Sequence, residues 1–291
     1  MTDQLKDNII VITGSSRGFG YAIAEVLLKR GATVVMTGRS ADALQSAVSS
    51  LRGFGSVSGE QLDVKDEAQV HEVVQRVVEK FGRIDIWINN AGFSSSAGMI
   101  LDTNPQEALD MFLANDLGVL YCTQAVTQHM LARKSGTLVN IYGNGSFLRP
   151  ATPTGLYGAT KAWITSFTRT VAKELEGSGI KVLGFSPGMM LTDMLTSPRV
   201  VGERGKEMMQ RYDFVLRFLA GKTEDAAEKL ANALTTQSKD FAEVRLMKPW
   251  TPMLGLLRVG WENITKTAKT PKYELHYEPA YQFKKVSQKE S

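Results

Sequence analysis

From the first strand-like run to about residue 190, short stretches of β-branched and aliphatic residues alternate with longer amphipathic ones. Strand candidates are Ile9 to Ile12, Thr33 to Met36, Val57 to Leu62, Ile84 to Ile88, Thr137 to Ile141 and Lys181 to Phe185. Most are continuous apolar runs, the pattern of a parallel sheet buried on both faces. Between them, Gly18 to Lys29 reads as a helix. Glu67 to Phe81 puts Val70, Val73, Val74, Val77 and Val78 on one stripe, and Ala162 to Leu175 does the same with Phe167, Val171 and Leu175. This βαβ rhythm predicts one doubly wound parallel sheet flanked by helices.

Beyond Pro187 the texture changes to methionines, prolines and charge. A long charged helix is expected over Glu203 to Leu219, a second over Glu224 to Thr235, and a last edge strand over Val244 to Met247. Residues 1–250 are therefore read as one domain with an excursion at about 188–222. Residues 251–291 are read as a partly exposed C-terminal extension. Its basic tail, from Lys266 onward, is expected to embrace a neighbouring subunit. The apolar stretch Trp250 to Trp261 is expected to pack against a partner subunit, with a bilayer surface as the alternative.

Composition narrows the class. With 291 residues and 43% hydrophobic side chains the chain can bury a full core, and its net charge of +4 does not by itself imply nucleic acid or anionic lipid. No zinc spacing, helix-turn-helix or ribonucleoprotein signature accompanies the basic tail, so no nucleic-acid partner is expected. The one cysteine, Cys122, cannot form an internal disulfide, and the opening residues lack the build of a secretory signal. A reducing, cytoplasmic setting is expected. No apolar run reaches the roughly 20 residues of a membrane span. His71, His129 and His276 are too dispersed to suggest a metal site.

Thr13-Gly14-Ser15-Ser16-Arg17-Gly18-Phe19-Gly20 follows a strand candidate and opens a helix, the context in which a glycine fingerprint binds a dinucleotide. Gly14 allows the tight turn, Gly18 the approach of a pyrophosphate, and Gly20 close packing of helix on sheet. Ser16, Arg17 and Phe19 complete the loop, whose free helix-terminal N–H groups face the phosphates. A Walker-type phosphate loop is disfavoured because its Lys-Ser/Thr pair is missing. After the second strand, where an acid would grip the ribose diol of NAD, stands Thr37-Gly38-Arg39-Ser40. Arg39 and Arg17 can instead make forked, charge-assisted bonds to a 2′-phosphate, so NADP (NADPH) is the expected cofactor. Asp63 and Val64 end the third strand beside the expected adenine site, and Asn90, Ala91 and Gly92 end the fourth.

Tyr157 and Lys161 are four residues apart on a helix candidate, so both reach one face. A phenol titrates near pH 10, and a nearby ammonium is expected to lower that value and fit it for passing a proton to a carbonyl oxygen. Together the glycine loop, Asn89-Asn90-Ala91-Gly92, Asn115, Tyr157-Gly158-Ala159-Thr160-Lys161 and Pro187-Gly188 resemble the short-chain dehydrogenase/reductase family over residues 5 to about 195. The resemblance implies a single-domain Rossmann-type α/β enzyme that transfers hydride with NAD(P), as a homodimer or homotetramer. It assigns Tyr157 as proton donor, Lys161 as its tuning partner and ribose ligand, and Asn115 as anchor of a proton-relay water. Thr192, just after Pro187-Gly188, falls where the family helps hold the nicotinamide carboxamide, and Pro187 and Gly188 are expected cofactor contacts beside it.

One position departs from the family pattern. Asn144 stands where the catalytic serine is expected, about thirteen residues before the tyrosine; Ser146, the nearest hydroxyl, is taken as its replacement, with Asn144 as the alternative donor. The surrounding segments are similar to the chlorophyll b reductase branch, which reduces a formyl group on a chlorin ring. Around Tyr157 the loops offer Phe93, Phe147, Leu148, Met189, Met190, Leu191, Met194 and Leu195 rather than an arginine clamp. An apolar carbonyl substrate is therefore expected, although the same residues would also serve as core beneath the excursion. The rival reading is a non-catalytic, NADPH-binding redox sensor or scaffold.

Overall fold

Strand burial explains why the apolar runs are continuous. In Ile9–Ile12, the side chains of Ile10 and Ile12 enter one core while those of Ile9 and Val11 enter another. Successive strand residues point to opposite faces, so a strand covered on both sides must be apolar throughout. The computed structural model describes residues 5–248, 250–265 and 271–282.

In chain order the elements are β1 (Ile9–Ile12), α1 (Gly18–Lys29), β2 (Thr33–Gly38), α2 (Ala41–Leu51), β3 (Val57–Gln61), α3 (Glu67–Phe81) and β4 (Ile86–Asn89). Then come α4 (Pro105–Phe112), α5 (Gly118–Arg133), β5 (Gly136–Ile141), α6 (Gly155–Glu174), β6 (Ile180–Ser186), α7 (Asp193–Thr196), β7 (Arg199–Val201) and α8 (Gly202–Met208). The chain continues through α9 (Tyr212–Leu219), α10 (Thr223–Thr236), β8 (Phe241–Arg245), α11 (Thr251–Ile264) and β9 (His276–Glu278). Seven parallel strands run in the order β3-β2-β1-β4-β5-β6-β8. The order reverses between β1 and β4, which opens a crevice beyond their carboxyl ends, the usual ligand position of such sheets. α1, α2 and α10 supply side chains to the core on one face, and α3, α5 and α6 to the core on the other.

Helix ends follow local chemistry. Asp66 caps α3 by accepting the Gln69 N–H at 3.1 Å, and Gly82 ends it in the left-handed region at φ 76°. Between α4 and α5 the winding loosens into a π turn over Leu113–Leu117, which buries Ala114, Asn115 and Asp116. Such bulges rotate a side chain out of the helical sequence and often mark functional positions.

One expectation for the C-terminal third is corrected. The helix expected over Glu203 to Leu219 breaks at Met209–Arg211, because its halves bury different surfaces. Met209 packs with Ala97 and Val200, while Leu216 is buried on α9, which carries α11. Within the tail, residues 271–282 lie on their own chain: β9 pairs in parallel with β7 in the excursion, and the Glu274 and Tyr281 N–H groups donate to Thr196 and Asp102 carbonyls at 2.8 and 2.9 Å. The last edge strand is β8, beginning three residues before the expected Val244. Among the described residues no helix is long and apolar enough to cross a membrane.

Candidate active site

The glycine loop between β1 and α1 is held from below by β4. Thr13 Oγ1 accepts the N–H groups of Asn90 at 3.0 Å and Ala91 at 2.9 Å, and Asn90 Nδ2 donates to the carbonyls of Thr13 and Gly14 at 2.9 and 3.0 Å. Gly14 and Gly18 both have φ of 60°, which favours glycine. A Cβ at Gly14 would stand 2.9 Å from Ala91 Cα, and one at Gly20 2.5 Å from Asn90 Nδ2. A backbone bared in this way at a helix N-terminus fits a pyrophosphate. Phe19 turns its ring into the core, stacked on Phe185 with centroids 6.2 Å apart, so only its backbone is presented to the loop.

Around this cradle, Ser16 borders Gly38 at the end of β2. Arg39 is exposed beside it, its carbonyl accepting Gln61 Nε2 at 2.9 Å. Arg17 is paired with Asp193 at 3.0 Å, an ion pair that joins the glycine loop to the start of α7. Asp63 accepts the Lys65 N–H at 3.1 Å, and Val64 is buried against Gly118. Pro187 is buried, Gly188 has φ of 81°, and Thr192 stands close to Gly18, so the segment after β6 reaches over the glycine loop.

Three elements bring the chemistry-bearing side chains together. Asn115, fully buried on the π turn, accepts the Phe93 N–H at 3.0 Å and donates to the Phe93 carbonyl at 2.9 Å and to Thr160 Oγ1 at 3.2 Å. Lys161, buried on α6, donates from Nζ to the Ile141 carbonyl at 3.1 Å and lies 5.5 Å from the Tyr157 ring centroid. Two glycines form the bare floor between them. A Cβ at Gly92 would stand 2.9 Å from Asn115 Oδ1 and 3.9 Å from Lys161 Nζ; one at Gly143 would stand 2.5 Å from the Tyr157 hydroxyl. A buried chain from Trp87 Nε1 through Asn89 and Asn140 to Thr168, with bonds of 2.8 to 2.9 Å, locks α6 to β4 and β5. The register of Tyr157 and Lys161 against the sheet is thereby fixed.

Electrostatics here are set by burial. Desolvation pushes the Tyr157 phenol well above its ordinary value; the lowering expected from Lys161 does not prevail. Desolvation draws the Lys161 ammonium down to about 8, opposed by the charge of Asp116. The Asp116 carboxyl is held up at about 7 by desolvation, opposed by Lys161. Both Asp116 oxygens are buried without a hydrogen-bond partner among the described residues. Sequence reading missed Asp116, although an acid within an otherwise apolar stretch beside Asn115 was its visible signal; it also missed the roles of Thr13, Thr160 and Gly143.

Ser146 is brought to the same loop but faces the backbone. Its hydroxyl accepts the Gly143 N–H at 3.1 Å and donates to the Lys161 carbonyl at 3.1 Å. Its single proton is thus committed to the helix, and Asn144 is exposed. Of the apolar residues expected around the phenol, Phe147 turns away onto Val119, Tyr142 and Ile164 beneath Arg245, and Met190 packs on the main core. Leu148, Leu191 and Met194 remain exposed.

A parallel sheet with a dinucleotide cradle at its switch point and a tyrosine–lysine pair on its carboxyl edge defines a nicotinamide-dependent oxidoreductase. The sequence pattern of the short chain dehydrogenase family matches residues 8–200, and the chain belongs to that family. An uncharacterized oxidoreductase of Staphylococcus epidermidis is 36% identical over 203 residues, covering 70% of this chain and 86% of that protein. The chloroplastic chlorophyll(ide) b reductase NOL of Arabidopsis thaliana is also 36% identical, over 228 residues, covering 76% of this chain and 63% of that one. The pigment enzyme is thus one of several equally distant relatives, which corrects the expected branch. The solved structure of ElxO with NADP bound is 27% identical with a TM-score of 0.68, covering 82% of this chain and 97% of that one. The enzyme acts on a carbonyl/alcohol pair with a nicotinamide cofactor, and the binding-only reading gives way to this.

Proposed function

We propose that the enzyme is an NADPH-preferring reductase of an apolar aldehyde or ketone, with Tyr157 as the proton donor. The observation that carries this reading is the meeting of Tyr157, Lys161 and Asn115 over the two bare glycines, Gly92 and Gly143, beside the glycine loop. Gly14, Ser16, Gly18, Gly20, Val64, Asn90, Pro187, Gly188 and Thr192 would hold the dinucleotide, which would supply the hydride when bound.

The chain's own groups do the rest. Burial keeps the Tyr157 phenol protonated at neutral pH, so it can donate to the carbonyl oxygen as negative charge develops there. Lys161 places its ammonium beside the ring, and Asn115 fixes the loop at Phe93 and the helix at Thr160. Ser146 acts as the anchor of the 143–146 loop, so Tyr157 is the hydroxyl that meets substrate. A panel of aldehydes and ketones of graded size, assayed with NADPH and NADH, tests the reading. Rising kcat/KM with apolar size is expected, and a preference for small hydrophilic carbonyls contradicts it.

The cofactor preference rests on Arg39 and Arg17 in the absence of an acid after β2. Arg39→Asp is expected to weaken NADPH binding by about 10- to 100-fold with NADH binding retained or strengthened, since a charge-assisted pair is replaced by repulsion and an acid there can accept the ribose diol. Fluorescence titration of each dinucleotide checks it.

The pH profile follows from Lys161 and Asp116. Above about pH 8 the Lys161 ammonium loses its proton, so reduction falls on the alkaline side. Asp116→Asn removes a charge that favours the ammonium. The alkaline limb of kcat/KM is then expected to move to lower pH, by up to about one unit. An unmoved limb shows that Asp116 merely fills space.

A further inference from the structure

The extension carries an apolar surface that the reaction does not use. Trp250, at the N-cap of α11, and Met253, Leu256, Leu257, Trp261 and Ile264 on it, three or four positions apart along most of the helix, are 56 to 78% exposed. Residues at this spacing share one side of a helix. The opposite side is anchored to the protein. Gly255 is pressed on Phe218 of α9, Val259 is buried, and Glu262 pairs with Arg217 at 3.3 Å and with Arg258 at 3.9 Å. The apolar side therefore points outward on a fixed helix, with tryptophans at both ends. Isolated exposed hydrophobic side chains are ordinary; a continuous outward stripe marks an interaction surface.

Charge decides what covers it. The stretch 248–272 holds Lys248, Arg258, Lys266, Lys269 and Lys272 against one acid, Glu262, a net charge of +4. That equals the net charge of the whole chain, so the rest is electrically balanced. Lys266 and Lys269 lie outside the described residues and enter here by sequence alone. A second copy meeting this stripe with its own would set two such positive stretches against each other, since a two-fold contact pairs the same patch with itself. An anionic bilayer surface accepts both features: tryptophan and leucine enter the headgroup boundary while lysines meet acidic lipids.

We propose that α11 docks this protein on the surface of anionic membranes, with the helix lying in the interfacial plane. Docking reaches beyond the reaction and holds whichever carbonyl is reduced. Its position also bears on the site, because α11 rests on α9 within the excursion that reaches over the glycine loop.

Co-sedimentation of the full chain with phosphatidylcholine vesicles containing about one-third phosphatidylglycerol, and with pure phosphatidylcholine vesicles, tests it. At least about tenfold stronger binding to the anionic vesicles is expected, weakening as salt is raised. The double variant Leu257→Ser/Trp261→Ser changes only exposed side chains. It is expected to lose that binding by at least about tenfold with its circular dichroism spectrum and turnover in solution unchanged. No binding to anionic vesicles, equal binding to both kinds, or binding that survives the double variant overturns the proposal. So does sedimentation equilibrium showing a wild-type dimer that the double variant dissociates, which would assign the stripe to a second copy.

Discussion

Tyr157→Phe is expected to lower kcat for carbonyl reduction by about 10²- to 10⁴-fold, the usual worth of a positioned acid. On the scale of 1.36 kcal/mol per decade this is about 3 to 5 kcal/mol of barrier. The substitution removes one oxygen and leaves the ring that lies under Lys161. The Tyr157 carbonyl still accepts the Thr160 hydroxyl at 2.8 Å, so the first turns of α6 keep their local bonds. Dinucleotide affinity is therefore expected to stay within about twofold, because the glycine loop depends on Thr13 and Asn90 instead. Stopped-flow hydride transfer separates this from product release. Unchanged kcat with intact dinucleotide binding would remove Tyr157 from the chemistry and, with it, the proposed reading of the site.

Much of this site was legible because it is local in the chain. The glycine loop declares itself by its place between a strand and a helix, and Tyr157 and Lys161 share a face through helix spacing alone. The sheet was equally readable: strands buried on both faces must be apolar throughout, as Ile9–Ile12 shows by dividing its side chains between two cores. What escaped depends on contacts between distant residues. Ser146 looked like a free hydroxyl, and only the packing of its loop on α6 reveals that it donates its hydrogen bond to the Lys161 backbone carbonyl. Phe147 was assigned to the substrate side because sequence proximity to the loop cannot say which way a ring turns. Nothing in residues 271–282 predicts that β9 would pair with β7, His276 standing opposite Arg199. The burial of Asp116 is likewise invisible until the π turn is seen.

Gly143 is where the shape of the loop and the proposed chemistry meet, and Gly143→Ala is expected to lower kcat by about 10²-fold, the sensitivity of catalysis to misplacement by about an ångström. A Cβ there would stand 2.5 Å from the Tyr157 hydroxyl, 3.1 Å from its Cε1 and 3.0 Å from Lys161 Cγ. The first separation is shorter than real contacts allow, and neither neighbour yields easily. Lys161 is held by the Ile141 carbonyl, and the loop is tied to α6 through Ser146. The phenol must therefore tilt away from the Lys161 ammonium and from the carbonyl it is proposed to protonate. Overpacking of this kind costs about 1 to 3 kcal/mol of stability, so a lowered melting temperature is expected as well. Gly53→Ala gives the comparison, because a Cβ there meets nothing within 4 Å; that variant is expected to retain wild-type kcat. Gly143→Ser adds a hydroxyl but carries the same obstructing Cβ, so it too is expected to be slow. Wild-type kcat in Gly143→Ala would mean that the phenol does not work from the position it occupies here.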